Sequence, residues 1–439
     1  MNKKIVIISV FIFCICLNNR AICQTYSLAA CKAMAIENNF KIKNTALETQ
    51  ISVETKNEAF TKYFPQIEVA GFAFQANHTM LQKDFDLSAL SPMLPFLANP
   101  IHVGFMEKGR TASIMATQPV FVGGRIINSN KLAKIGEDVS ILKQQLSADE
   151  VNETTEKYFW TVVLLKEKLK TIEALQKQLE NLYKDVDMAV KAGIINRNEL
   201  LQVELKQREL ESESLKLDNG INITKMLLAQ HIGLFTQTFE IDMDTFPQPN
   251  IPSEFYVDAS SAAVLRTEYK LLDKNVDASK LNVKIEAGKR LPMVGVGAGY
   301  VYHNFTEQTN TFGMAFAAVR IPVSEWWGGT IATKRAKLRM QQAENERQNA
   351  KELMAVEIQQ VYNELTESYF QVVLSKKSIA SATENLRLNS NYYKAGISTI
   401  SDVLDAQSLL QKCSDQYAEA CCNYQIKLAK YKIVSGFEK

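Results

Sequence analysis

The stretch Tyr393-Lys394-Ala395-Gly396-Ile397-Ser398-Thr399-Ile400-Ser401-Asp402-Val403-Leu404-Asp405-Ala406 organises the reading of the whole chain. A glycine ends one helical pattern, and hydroxyl and carboxylate residues open another a few positions later, so a tight turn joins two helices. Its core recurs upstream: Lys191-Ala192-Gly193-Ile194 matches Lys394-Ala395-Gly396-Ile397 at a shift of 203 residues. The same shift carries Pro119-Val120 onto Pro322-Val323, Lys131, Ala133 and Lys134 onto Lys334, Ala336 and Lys337, and Leu201 onto Leu404. Register held over such a span marks an internal duplication rather than a chance tetrapeptide.

Working outward, Pro65 corresponds to Pro292 at a shift of 227, so the first copy carries an insertion between Pro65 and Pro119. A glycine pair follows each second proline, Gly123-Gly124 and Gly328-Gly329, and Phe246-Pro247-Gln248-Pro249-Asn250-Ile251-Pro252 separates the copies. This gives a signal segment at 1–23, a first repeat at 24–245, a proline-rich linker at 246–257 and a second repeat at 258–439. Each repeat reads helix, strand, loop, strand, long helix, turn, helix. First helices are expected from Ser27 to Lys62 and Asp258 to Arg290, and long ones from Ile126 to Lys191 and Ile331 to Lys394. The last helices are expected to start near Asn198 and Ser401, each a good N-cap.

The final helix carries a heptad seam of Val403, Ala406, Leu410, Cys413, Tyr417, Ala420 and Tyr424. Leu200, Val203, Gln207, Leu210, Ser214, Leu217 and Ile221 repeat it in the first copy. Alternating steps of three and four indicate coiled-coil packing. Leu201, Leu205, Leu404 and Leu409 lie off the seam, so these helices have neighbours on two sides, as in a tube wall. A helix of about 66 residues spans roughly 100 Å.

Four segments change period from helical to alternating, near residues 66–76, 111–118, 293–302 and 311–320. Val294, Val296, Ala298, Tyr300 and Tyr302 alternate with Gly295, Gly297, Gly299 and Val301; Phe312, Met314, Phe316 and Ala318 alternate with Gly313, Ala315 and Ala317. One bulky face with aromatics near an end, over about ten residues, suits a strand facing lipid. Four strands cannot close a barrel alone, and an open edge in lipid is untenable. Three identical subunits of four strands each would supply twelve. Gly295-Val296-Gly297-Ala298-Gly299 is no nucleotide loop, because the alternation runs on into Tyr300-Val301-Tyr302 instead of opening a helix.

The first residues set the compartment. Asn2, Lys3 and Lys4 precede an apolar run from Ile5 to Leu17, and Ala21 and Cys23 occupy the −3 and −1 positions for cleavage before Gln24; lipidation at Cys23 is the alternative. Three of the seven cysteines lie in that segment. Cys31, Cys413, Cys421 and Cys422 read as small apolar residues on helix faces, with a disulfide between Cys31 and the Cys421–Cys422 pair compatible with an oxidising compartment. No zinc-binding spacing and no cofactor motif accompanies them. The net charge of +2, without a basic block, recommends no nucleic-acid partner. His78, His102, His231 and His303 are scattered, and no hydrolase or metalloprotease arrangement occurs.

These features together resemble the TolC-like outer membrane efflux protein family over nearly all of the mature chain. The resemblance rests on the duplicated helix–hairpin–helix–helix unit, the passages Pro119 to Gly124 and Pro322 to Gly329, and the Tyr393–Ala406 stretch. It implies a mainly α chain with a long α-helical coiled-coil tunnel plus a transmembrane β-barrel completed by trimerisation. It also implies a homotrimer set in outer-membrane lipid with a periplasmic helical extension, joined to a periplasmic adaptor and an inner-membrane pump. Such a channel is a passive conduit and not an enzyme. The termini and the proline-rich linker would form an equatorial belt. Tyr393, three before Gly396, matches the family's gating tyrosine. Asp402 and Asp405 match the aspartates at the entrance, and Glu199, six after Gly193, takes the acidic place in the first copy. The family's arginine two after the second glycine is Ser398 here. Independently, carboxylates at i and i+3 share a helix face, and rings of acids favour cations; acids in a first helical turn also suit simple capping. A secreted or periplasmic coiled-coil scaffold is the rival reading.

Overall fold

A computed structural model describes residues 24–86, 89, 99–235, 239–243, 245–305 and 309–437. The expected signal segment, with Cys23, lies outside the described residues. The elements in chain order are β1 (Gln24–Tyr26), α1 (Leu28–Asn38), α2 (Phe40–Thr61), β2 (Gln66–Gln75), β3 (Leu81–Phe85), β4 (Ile101–Phe105), β5 (Lys108–Val122), α3 (Arg125–Lys191), α4 (Arg197–Ile232), β6 (Phe239–Ile241), α5 (Ala259–Ala263), α6 (Thr267–Gly288), β7 (Met293–Asn304), β8 (Asn310–Arg320), α7 (Glu325–Lys394) and α8 (Ile400–Ser435). No helix among the described residues is long and apolar enough to cross a membrane. The chain forms two compact units that cut across the sequence repeats, one comprising Thr49–Ser140 and Leu272–Arg347 and the other the remainder.

The described residues of the remainder are mainly helical. Cys31, Ala35, Phe159, Trp160, Leu228, Ile232, Phe239 and Cys422 form one buried cluster, against which β1 and β6 pair in parallel. Phe255, Ile358, Val361, Leu365, Tyr424 and Tyr431 form a second. The proline-rich linker is stapled to α8 by two tyrosines: the Tyr424 hydroxyl donates to the Asn250 carbonyl at 2.9 Å, and the Val257 amide donates to the Tyr431 hydroxyl at 3.1 Å. The four described cysteines are buried thiols, unpaired with one another. In α8 the seam positions Val403, Ala406, Cys413, Ala420 and Tyr424 are buried, as are Val203, Leu210 and Ile221 in α4.

Several expected boundaries need correction. The first helix is not continuous from Ser27 to Lys62, because Asn39 is extended (ψ 132°) and separates α1 from α2. Its side-chain Nδ2 donates to the His231 carbonyl at 3.0 Å and lies 3.1 Å from His231 Nδ1, while its Oδ1 accepts from the Lys41 amide at 2.8 Å. In the second copy, the stretch from Asp258 to Arg290 likewise breaks after α5. There Arg266 is buried and its guanidinium bonds Glu268 at 2.6 Å and Glu357 at 2.5 Å. Helix α7 starts at Glu325 rather than Ile331, so Gly328 and Gly329 are helical, whereas Gly123 and Gly124 form a left-handed turn with φ +67° and +72°. The last helices are capped by Asn196 and Thr399, two residues before the expected Asn198 and Ser401. The insertion in the first copy forms the hairpin β3–β4, which the sequence pattern did not signal.

The other unit is built on a four-stranded antiparallel sheet of order β2-β5-β7-β8, with β2 and β8 as its outer strands. Register decides its two faces. Tyr300 pairs with Gly313 and Ile114, Ala298 with Ala315 and Ala116, and Val296 with Ala317 and Gln118. The bulky residues of β7 and β8 therefore do not share a face, contrary to the single bulky face expected. Bulky residues of one strand lie opposite small ones of the next: Phe316 covers Gly297, and Met115 covers Gly299. Both faces thereby interdigitate. Val296, Ala298 and Tyr300 are exposed while Gly295, Gly297, Gly299 and Val301 are half-buried, and β5 alternates in step at Ala112 to Met115. The face bearing Gly297, Met115 and Phe316 is thus the more covered one in β7 and β5. The opposite face, including Ile67, Val69, Ile114, Ala116, Val296, Ala298, Tyr300, Ala315 and Ala317, is apolar through the middle of every strand. Glu68, Thr111, Ser113 and Thr117 fall on the face bearing Gly297.

Candidate functional site at the paired helical turns

The two duplicated turns have the same backbone. Gly193 and Gly396 both have φ +72°. The Gly193 amide donates to the Val190 carbonyl at 3.0 Å and the Ile194 amide to Ala189 at 2.9 Å; Gly396 donates to Tyr393 and Ile397 to Tyr392, both at 2.9 Å. This paired bonding closes the last carbonyls of α3 and α7 with a left-handed glycine. Nothing lies within 4 Å of a Cβ added at either glycine, so the demand is purely conformational. A β-branched residue there costs about 1–2 kcal/mol of backbone strain. Gly396→Val is accordingly expected to speed amide hydrogen exchange at Ile397 severalfold while leaving the four-stranded sheet protected. Equal loosening of the sheet would place this glycine's role elsewhere. Ile194 and Ile397, next in sequence, are 76 % and 75 % exposed.

The turns lie together. Ile400 of α8 is buried in the same cluster as Leu179, Val186 and Val203, with Tyr393, Leu200 and Leu404 packed around it. The Tyr393 hydroxyl donates to Glu199 Oε2 at 3.2 Å. Burial, and then the adjacent Glu199 carboxylate, push the Tyr393 phenol up to about 12, so it stays a neutral donor. Two of the expected site residues, Tyr393 and Glu199, are thus in direct contact across the two repeats. Asp402 sits elsewhere on the tip, as half of a capping box. Its Oδ2 accepts from the Thr399 amide at 2.8 Å and hydroxyl at 2.7 Å, while Thr399 Oγ1 accepts from the Asp402 amide at 3.3 Å. The hydroxyl and backbone bonds from Thr399 hold the Asp402 carboxyl below the usual carboxylate range. Asp405, one turn on, is exposed and has no hydrogen-bond or ion-pair partner among the described residues. Ser398, in place of the family arginine, donates to the Asn389 carbonyl at 3.2 Å and caps rather than pairs charge.

Beneath Tyr393 lies a cavity of about 420 Å³, lined among others by Gln178, Asp185, Arg387, Ser390 and Gln407. Gln407 is 4 % exposed and its Oε1 has no hydrogen-bond partner among the described residues. The heptad pattern did not single it out, because one polar residue beside an apolar seam carries no distinctive signal.

Further along α8, Asp415 faces Lys168 of α3, Glu213 of α4 and Glu419 of its own helix, and its Oδ1 is enclosed without a partner. Burial pushes its carboxyl up to about 6, against the pull of Lys168 and with help from Glu213 and Glu419. The folded protein then holds this proton where the unfolded chain, near 3.8, has lost it, so stability falls as pH rises from about 4 to about 6 and stays lowered above. Fully enclosed, such a group would cost about 3 kcal/mol, but screening at a half-exposed site reduces this to about 1 kcal/mol. Asp415→Asn is expected to raise the thermal midpoint of the detergent-solubilised protein at pH 7.5 and to leave it unchanged at pH 4. Equal gains at both pH values would contradict the assignment.

Residues 270–431 match the family model described as outer membrane efflux protein. No curated protein matches the sequence. Among solved structures, the chain is similar to the channel CusC (TM-score 0.78, 13 % identity, covering 93 % of this chain and 91 % of that one). It is also similar to the outer membrane protein VceC of Vibrio cholerae (0.72, 14 %, 93 % and 96 %) and to the MtrE outer membrane channel of Neisseria gonorrhoeae (0.72, 15 %, 94 % and 89 %).

Proposed function

We propose that the chain is an outer membrane efflux protein, one subunit of the channel through which a tripartite efflux or secretion system passes substrate from the periplasm to the exterior. The observation that carries this reading is the four-stranded sheet, apolar through the middle of one face and unpaired at both β2 and β8 among the described residues, in one chain with helices of 67 and 70 residues. Such a sheet needs further strands to meet lipid without bare edges. Three copies supply a closed barrel, and their long helices continue it as a periplasmic tunnel. The exposed indoles of Trp326 and Trp327, just past β8, suit the membrane boundary. The paired turns, with Ile194 and Ile397 exposed, would meet a periplasmic adaptor that connects the conduit to an inner-membrane pump. Flow through it is passive, and the pump supplies the energy.

In this reading Tyr393 and Glu199 form a gate contact between the two halves of each subunit, and Asp402 and Asp405 ring the entrance. Tyr393→Phe removes the hydroxyl that holds Glu199 and should raise leak through the resting channel. The general reading is tested by fractionation with a deletion strain: the protein should resist carbonate and urea extraction and dissolve in detergent, and its loss should sensitise cells to compounds that intact cells expel. Release by carbonate would instead indicate a scaffold lying on the membrane.

A further inference from the structure

One end of the apolar sheet face carries a polar row that closing a barrel does not require. On β5 that face reads Lys108, Arg110, Ala112, Ile114, Ala116 and Gln118 in order. Register sets Gln75 opposite Lys108, and Ala73 and Asn304 on either side of Arg110; Tyr302 follows one step further in, opposite Ala112. These residues line a groove of about 550 Å³, completed by Phe74 and Gly109, and no carboxylate borders it. Lys108 and Arg110 are exposed and have no hydrogen-bond or ion-pair partner among the described residues. Two positions apart on one strand, they stand roughly 7 Å from each other. The row lies at the strand ends away from the helices, since α2, α3, α6 and α7 all join the sheet at its other end. Gln118 is the next polar residue on this face of β5. It lies roughly 27 Å from Arg110 along the strand, close to the apolar band of about 25 Å of a membrane barrel.

We propose that Lys108 and Arg110 form a binding site for the phosphorylated headgroup of an outer-leaflet lipid, one site on each subunit. The proposal rests on the channel reading above, which puts this end of the sheet at the outer leaflet, and adds a lipid partner. A cation on the lipid face is costly at mid-membrane and tolerated only at headgroup depth, where phosphates lie. The guanidinium offers paired N–H donors to two phosphate oxygens, and the ammonium beside it adds a point charge. The Gln75 and Asn304 amides supply further donors for phosphate or sugar oxygens, and Tyr302 stands at the depth where amphipathic rings settle. The occupant is a lipid rather than dissolved phosphate because the groove runs on into the apolar face. Gly71, Ala112 and Tyr300 lie directly inboard of it, where acyl chains would pass.

The test uses the purified full-length protein in detergent, with bisphosphorylated lipid A as the probe and its dephosphorylated form and inorganic phosphate as comparisons. Mass and single-channel conductance are recorded first, so that a protein that forms no channel counts against the channel reading and not against the lipid site. Native mass spectrometry of the conducting complex should show lipid A retained at up to one molecule per subunit. It should be held about tenfold or more tightly than the dephosphorylated form, since one charge-assisted contact contributes roughly that factor. K108Q/R110Q should lose this preference, and K108R/R110K, which keeps both charges, should retain most of it. K334Q/K337Q removes two exposed lysines of α7 and should leave the preference unchanged. If the glutamine pair fails to assemble, R110Q alone serves, with a severalfold loss expected. No preference for the phosphorylated lipid in a conducting wild-type channel would overturn the site, as would an unchanged preference in an assembled glutamine variant or an equal loss in K334Q/K337Q. Inorganic phosphate binding as tightly as lipid A would overturn the lipid assignment.

Discussion

Ala315→Arg is expected to abolish the assembled complex, whereas Met314→Arg, the same change one residue away, leaves it assembled. Ala315 stands at the middle of β8 and pairs with Ala298 on the apolar face, among Tyr300, Ala317 and Ala116. A guanidinium there would lie at the centre of the hydrocarbon layer, at a cost of about 2–4 kcal/mol per subunit. Met314 pairs with Gly299 on the opposite face, the one carrying Glu68, Thr111, Ser113 and Thr117, where in the proposed barrel a charge would meet water. Membrane-inserted complex, quantified after fractionation, distinguishes the two. Assembly of Ala315→Arg with loss of Met314→Arg would reverse the faces.

The second large effect concerns the entrance. Asp402→Ala/Asp405→Ala is expected to abolish block by trivalent cations and to raise anion passage in planar bilayers, because symmetry would gather six carboxylates around one opening. The structure separates the two acids. Asp402 Oδ2 is committed to Thr399 in the capping box, while Asp405 is exposed one turn along. Asp405→Ala alone should therefore shift selectivity without loosening the start of α8. Asp402→Ala should do both, and hydrogen exchange at the α8 N-terminus reports the loosening. Unchanged selectivity in the double variant would leave Asp402 as a cap only and remove Asp405 from the entrance.

Much of this was legible in the sequence because it is local. The Lys-Ala-Gly-Ile turns carry their own conformational demand at Gly193 and Gly396, and a period of two survives in β7 whatever it packs on. What was not legible depends on distant partners. The Asn38-Asn39 pair is a local cap signal, and Asn39 does cap Lys41, but its second anchor, His231 on another helix, is not readable from its neighbours. The break after α5 is held by Glu357, far from Arg266 in sequence. Alternation within β7 or β8 shows that one side is bulky but not which sides coincide, so the interleaving of Phe316 with Gly297 waited on register. At the tip, Tyr393 and Glu199 were each identifiable by their spacing from a glycine, but their contact was not. The α8 cap moved from Ser401 to Thr399 because Thr399 stands three residues before Asp402, the spacing a capping box requires.

The central claim is that each subunit supplies one third of a barrel. The most direct measurement is the mass of the detergent-solubilised protein by light scattering, with detergent subtracted, on the same sample that conducts in planar bilayers. A channel with three times the mass of the 439-residue chain, less any cleaved signal segment, is the expected result. A stable monomer that conducts would contradict it, because its β2 and β8 edges would then have to close without partners.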